Sequence, residues 1–592
     1  MVPAIHTDNT RQETIVMVFR KVRVLVATAC SIAVGWTSAG AQPSLAPVGI
    51  LGVGIGRAAQ GTENGRQGAR SADLLTLFEE WRAFQQPKVI DGVPDYSVSA
   101  IAAQHATLSD YQRRLAAIDT TGWSVPQQVD YHIVRAEMNG LDFDLRVRRP
   151  WATNPAFYVS FFPSRSDQPA REGTVPAGAI ELWLWQFPLT PHRVADLAAR
   201  LRIIPKFLHE ARRNLNGNGK DLWTYGIRSV RQQSVDLAAL STRVAGTSPA
   251  LDSAVQRARE ATDQFRVWLE QQAPHKTGPS GIGIANYSWY LKNVQLVPYT
   301  WAEEEVLMRR ELARSRAALK LEEDRDRALP PSVPISTAAA FTTGFNSAVT
   351  EYMAFLRDHD VLTVRAYMDP ALRAREGKFS ASDHPREFFD EVNYRDPIVM
   401  LTHDYHWFDL ARMAAEPHQD PIRREPLLYN VFVTRTEGFA TALEEMMMHE
   451  GFLDKRPRSR ELIYILIAER AARALGDLHL QNNDFTMEQA KTFASNWTPR
   501  GWLRVDGNTV WGEQHLYLQQ PAYGTSYIIG KIQFDQLLDE RAKQMGDAYT
   551  TKRFMDEFNA AGLIPMSLIR WQLTGNADEI VSMMRRASPR AH

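Results

Sequence analysis

The sequence predicts a mostly α-helical protein, a large multi-helix body with a central cleft and few short strands. Apolar residues recur at helical spacing in one long segment after another, while period-two alternation is scarce. Composition agrees: of 592 residues 44% are hydrophobic and only one is cysteine, so a disulfide scaffold is excluded and a large soluble core is affordable. With 68 Lys+Arg against 68 Asp+Glu the chain carries no net field to attract nucleic acid or anionic lipid.

At the N-terminus, Arg20-Lys21-Val22-Arg23 precedes the apolar run Val24 to Trp36 and then Ala39-Gly40-Ala41. A basic region, a short apolar run and a small-residue cleavage site make residues 1–41 a signal peptide, cleaved near Ala41, which predicts a periplasmic or secreted protein with no membrane span after cleavage. Met17 is an alternative start. Cys30 falls in the removed segment, so any metal in the mature protein must sit on His, Asp and Glu. Residues 42–70, Gly-rich around Gly52-Val53-Gly54-Ile55-Gly56, read as a flexible linker because no strand leads into them and no helix is opened by them. A helical domain follows over 71–585, with a tail at 586–592. Its first helix begins near Ser71, and amphipathic segments recur at about 103–118, 126–145, 191–216, 219–245, 249–273, 302–324, 335–358, 435–452, 459–477, 486–495 and 532–546. The best strand candidates are Phe157–Phe161 and Ile180–Trp185.

Chemistry concentrates in two stretches. Leu401-Thr402-His403-Asp404-Tyr405-His406-Trp407 places His403 and His406 at i and i+3, about 60° apart on a helix, so both rings can enter one cleft. The second, Glu437 to Glu450, aligns Glu437, Thr441, Glu444 and Met448 in one stripe and Glu445 with His449 in the next. His403, His406 and Glu437 form a ligand set that zinc accepts with a position left open, and Glu445 with His449 is the alternative. The bland reading is core histidines and a solvated acidic face. The H-E-x-x-H signature is absent, as are a G-x-S-x-G elbow and a phosphate loop. Arg435 is a candidate for a substrate carboxylate or for salt bridging. Tyr523 and Tyr527, beside Gly524, are candidate oxyanion donors or aromatic packing.

Several segments resemble a bacterial family filed as domain of unknown function 885. These are Arg200-Leu201-Arg202-Ile203-Ile204-Pro205, Tyr299-Thr300-Trp301-Ala302-Glu303-Glu304, Glu437-Gly438-Phe439-Ala440 and Ser526-Tyr527-Ile528-Ile529-Gly530-Lys531. The resemblance implies a largely helical, often exported protein related to zinc carboxypeptidase-like metallopeptidases. The family's metal motif is His-Glu-x-x-Pro-Gly-His-His with a further Glu from Glu-Gly-Trp-Ala. Glu437 matches that Glu and Phe439 replaces the Trp, whereas His403-Asp404-Tyr405-His406 departs from the longer motif. The expected function is a metal-dependent peptidase acting on short peptides. Its roles are His403, His406 and Glu437 as ligands, Asp404 or Glu444 as general base, and Tyr523 or Tyr527 as oxyanion donor. A metal-free binding protein on the same fold, or a metal-independent hydrolase using carboxylates and His449, is the alternative.

Overall fold

A computed structural model of the protein describes residues 72–171, 175–380 and 385–585. The expected signal segment with Cys30, the linker 42–70 and the tail 586–592 lie outside these residues. Helices dominate, as the periodicity predicts. Regular strands among the described residues are two pairs, each strand two residues long. β1 (Val89–Ile90) runs antiparallel to β2 (Val93–Pro94), and β3 (Phe161–Phe162) parallel to β4 (Ile180–Glu181). Both strand candidates shrink because single helical turns take part of them: Pro155–Tyr158, capped by Asn154, and Leu182–Leu184. No helix among the described residues is long and apolar enough to cross a membrane.

The N-terminal half carries α1 (residues 72–84), α2 (Val98–Ala116), α3 (Val125–Phe143), α4 (Pro191–Leu201), α5 (Ile203–Asn214), α6 (Lys220–Val244) and α7 (Pro249–Gln272). The periodicity over 191–216 predicts one helix, but two form. Pro205 has no N–H to donate to the Leu201 carbonyl, and the helix breaks at Arg202.

Site-bearing elements follow: α8 (Trp301–Arg325), α9 (Ala338–Asp358), α10 (Pro397–His403), α11 (Tyr405–Ala415), α12 (Phe439–His449), α13 (Pro457–Gln481), α14 (Asn508–Gln519) and α15 (Tyr523–Met545). Thr300 and Glu303 close a reciprocal cap at the start of α8, satisfying two otherwise orphaned donors. α13 is buried on every face over most of its length, so it is the axis on which α8, α14 and α15 pack. Its polar residues are paired inside the protein. Arg473 lies 2.8 Å from Glu469 and 2.6 Å from Glu513, and Asp477 accepts from the Gly524 N–H at 3.0 Å, anchoring the start of α15.

α12 is entered through one π-helical turn, Thr434–Gly438, that lies against α15. The two backbones approach closely at Gly438 and Gly530. A Cβ on Gly438 would sit 2.6 Å from the Gly530 carbonyl carbon, and one on Gly530 would sit 2.7 Å from the Gly438 Cα. Only glycine permits this crossing.

Candidate metal centre

His403 ends α10 and His406 lies in the first turn of α11. They therefore straddle a break at Asp404, where a single regular helix was expected. Asp404 has ψ 11°, off the helical value, and Pro397 at the first position of α10 starts a separate short helix. The rings still converge, with centroids 5.0 Å apart and planes at 83°.

Glu437, in the π-turn, completes the group. His406 Nε2 lies 3.3 Å and His403 Nε2 3.7 Å from Glu437 Oε2. One donor atom from each of the three residues lies within 4.8 Å of the others. Glu437 is oriented by its other oxygen, which accepts from Tyr523 Oη at 2.6 Å and from Gln168 Nε2 at 2.9 Å. Oε2 is thereby left facing the imidazoles. His406 Nε2 is buried and makes no well-directed hydrogen bond.

Behind His403 stands a second carboxylate. Glu444, fully buried, accepts from both terminal nitrogens of Arg470 at 2.7 Å and lies 3.0 Å from His403 Nδ1. Arg470 Nη2 is 3.1 Å from the same nitrogen. Arginine can only donate, so Nδ1 accepts from Arg470, whose guanidinium Glu444 holds in place; the ring proton then sits on Nε2, facing Glu437, and leaves when that nitrogen takes a metal. Glu444 therefore acts on the ring through Arg470. Replacing Glu444 by Gln should weaken zinc binding by about 10–100-fold, the usual cost of losing such a partner, as read by chelator competition. Unchanged affinity would show that the ring is held by its packing alone.

Electrostatics follow from burial and neighbours. Burial, reinforced by Arg470 and His406, holds His403 well below the ordinary imidazole range, so it is neutral. Burial alone would lower His406 too, but Glu437 outweighs it and lifts His406 to about 9. Glu437 is the converse: burial opposes its charge, yet His406 brings it below the usual carboxylate value. Burial pushes Asp404 up to about 6 against the field of Arg375, and Glu444 up to about 7 against Arg470.

Other expected site residues fall elsewhere. Arg435 is fully buried, held by Asp409 and Asn559 at 3.1 Å and clasped between Phe439 and Phe558 at 4.6 and 4.5 Å, so it is a core residue and no substrate ligand. The alternative ligand pair also separates from the centre. Twelve residues of helix put His449 about 18 Å from Glu437. His449 is 65% exposed, and Glu445 is engaged by Arg314 at 2.8 Å and Lys531 at 3.0 Å. Tyr523 is committed to Glu437, while Tyr527 stacks over His403 at 6.4 Å. A cavity of about 420 Å³, lined by residues such as Asp409, Arg412, Phe432, Asn559 and Pro169, does not include His403, His406 or Glu437.

Three contributors escaped the sequence reading. Gln168 and Asp167 lie in a loop after β3 that has no periodicity; Gln168 reaches Glu437 across 269 residues, and the charge of Asp167 acts on Glu437, His403 and His406. Arg470 lay within a segment read only as amphipathic.

The fold and this cluster together define a large helical protein with a His–His–Glu group held between helices. The chain belongs to the family described as bacterial protein of unknown function (DUF885), whose model matches residues 86–365 and 367–573. Two solved structures share the fold. A "putative lipoprotein of unknown function" from Shewanella oneidensis is 16% identical, covering 85% of this chain and 98% of its own, with a TM-score of 0.61. A "putative lipoprotein" from Colwellia psychrerythraea is 14% identical, covering 86% and 99%, with a TM-score of 0.63. No curated protein matches the chain.

Proposed function

We propose that the protein is an exported, metal-dependent peptidase acting on short peptides, with zinc held by His403, His406 and Glu437. The spacing of the three donors carries this reading. Ligands bound tetrahedrally to zinc at about 2.0–2.2 Å stand about 3.4 Å from one another, and the two imidazole-to-carboxylate separations are 3.3 and 3.7 Å. The buried Nε2 of His406, which makes no well-directed hydrogen bond, suits the same group.

The ion, when bound, supplies Lewis acidity toward a scissile carbonyl. The other roles belong to the chain. Asp404 is half-buried beside His403, and a carboxyl held near 6 is matched to accepting a proton from water and returning it to a leaving amine. Tyr527 makes no hydrogen bond through its hydroxyl among the described residues, and burial keeps it protonated, so it can donate to a developing oxyanion. Tyr523 and Gln168 position Glu437. A metal-free binding protein has one observation in its favour, since His406 and Glu437 can neutralise each other.

Zinc per chain and hydrolysis of short peptides, before and after chelation, test the proposal. One zinc per chain with chelator-sensitive hydrolysis is expected. Failure to take up zinc, or hydrolysis indifferent to the chelator, overturns it.

A further inference from the structure

Next to the centre, two guanidinium groups share one aromatic ring. Arg375 lies 3.9 Å and Arg165 5.8 Å from the centroid of Trp407, the residue after His406. Neither forms an ion pair with a carboxylate among the described residues; for half-buried Arg375 this is unusual, since this chain pairs most of its other buried and half-buried arginines. Arg470, Arg473, Arg423, Arg148 and Arg314 each hold an acid within 3.0 Å. The Nε of Arg375 is buried and without a hydrogen-bond partner.

Arg165 is exposed and has Glu181 within its field, whereas half-buried Arg375 has no ion-paired acid and keeps an orphaned donor, an arrangement that a bound carboxylate would complete. Their position indicates where it comes from. Arg375 acts electrostatically on Asp404, beside His403, and Arg165 is two residues from Asp167, whose charge reaches His403, His406 and Glu437. Guanidinium groups recognise carboxylates through paired N–H donors, and stacking on an aromatic face leaves those edge donors free.

We infer that Arg165, Arg375 and Trp407 form a subsite for a carboxylate of the substrate, which makes the preferred substrates peptides with a free carboxylate close to the bond cleaved. This rests on the peptidase reading for the word substrate, while the anion subsite itself stands on the arginines alone. The carboxylate can be the peptide's C-terminus or an acidic side chain, and the two differ in a binding experiment.

Calorimetric titrations would use tri-alanine, tri-alanine amide and Ala-Glu-Ala amide, with the full chain both zinc-loaded and chelated. The wild type should bind tri-alanine about tenfold or more tightly than its amide, the worth of a charge-assisted bond. Restored binding of Ala-Glu-Ala amide would assign the subsite to side chains, and continued weak binding would assign it to the C-terminus; both support the subsite. Arg375→Gln and the exposed Arg165→Gln should each narrow the acid-to-amide ratio while zinc per chain stays at the wild-type value. A ratio near one in the wild type, absence of binding by any of the three peptides, or a ratio unchanged in both variants overturns the inference. Acid preference retained by protein that takes up no zinc would instead refute the metal reading and leave the subsite standing.

Discussion

Glu437→Gln should leave a folded protein whose zinc affinity is more than about 100-fold lower, beyond the loss typical of outer partners, and whose peptide hydrolysis falls with it. The geometry dictates how. Oε1 accepts from Tyr523 and Gln168, so the amide oxygen of the variant must occupy that place and the amide NH2 must face His403 and His406. Two donors then point where the wild type offers an anionic acceptor, and the imidazole lone pairs are consumed by hydrogen bonds. Without metal, the same substitution removes the partner that lifts His406 to about 9 and draws Glu437 below its usual value. The His406 contribution is complete below its unfolded value near 6.5 and is lost as pH rises through 9; the Glu437 contribution is present above about 4.5 and lost on acidification. Chelated wild type should therefore melt higher than chelated variant at pH 6, and the gap should close above pH 9. Equal zinc content in wild type and variant would remove Glu437 from the ligand set, and a gap that widens with pH would reject the ion pair.

The largest stability effect is expected at the glycine crossing. Gly530→Val puts a branched side chain where even a single Cβ meets Gly438 Cα at 2.7 Å, and both contacts are backbone, which cannot rotate away. The helices must separate, at about 3 kcal/mol or more. Because Gly438 adjoins Glu437 and α15 begins at Tyr523, separation should also loosen the hydrogen bond between them and lower zinc binding in whatever fraction folds. Gly512→Ala on α14, where a Cβ meets nothing within 4 Å, is the control and should be neutral or slightly stabilising. Melting temperatures of the two variants decide the matter, and similar values would show that the crossing yields.

Periodicity was enough to find the long helices, because each must bury an apolar stripe: α6, α7 and α8 fall within a residue or two of their expected limits. It said nothing of short helices such as Phe388–Arg395 or Met566–Thr574, which last too few turns to repeat a stripe. Of the candidate site, His403, His406 and Glu437 were legible because local spacing and an acid-glycine segment mark them. The roles of Glu444, Arg435 and Tyr523 were not, since orientation depends on partners from distant elements: Arg470 on α13, Asn559 near the C-terminus, Gln168 in the β3 loop. Arg435 is instructive, as its place two residues before Glu437 suggested the same cleft, while a π-turn carries it to the Asp409 side.

The crossing at Gly438 and Gly530 also bears on ion choice. Side-chain contacts are compliant, since a rotamer change can widen a cradle by a fraction of an ångström. Two backbones in direct contact have no such play, and the Glu437 carboxylate is further pinned through Oε1. Calcium prefers six to eight oxygens at about 2.3–2.6 Å in an accommodating shell, and this cradle offers two nitrogens, one free oxygen and no slack. Were the group to hold an ion, discrimination against large, hard ones would be a mechanical property, set by the stiffness of a helix contact rather than by the chemistry of the donors alone.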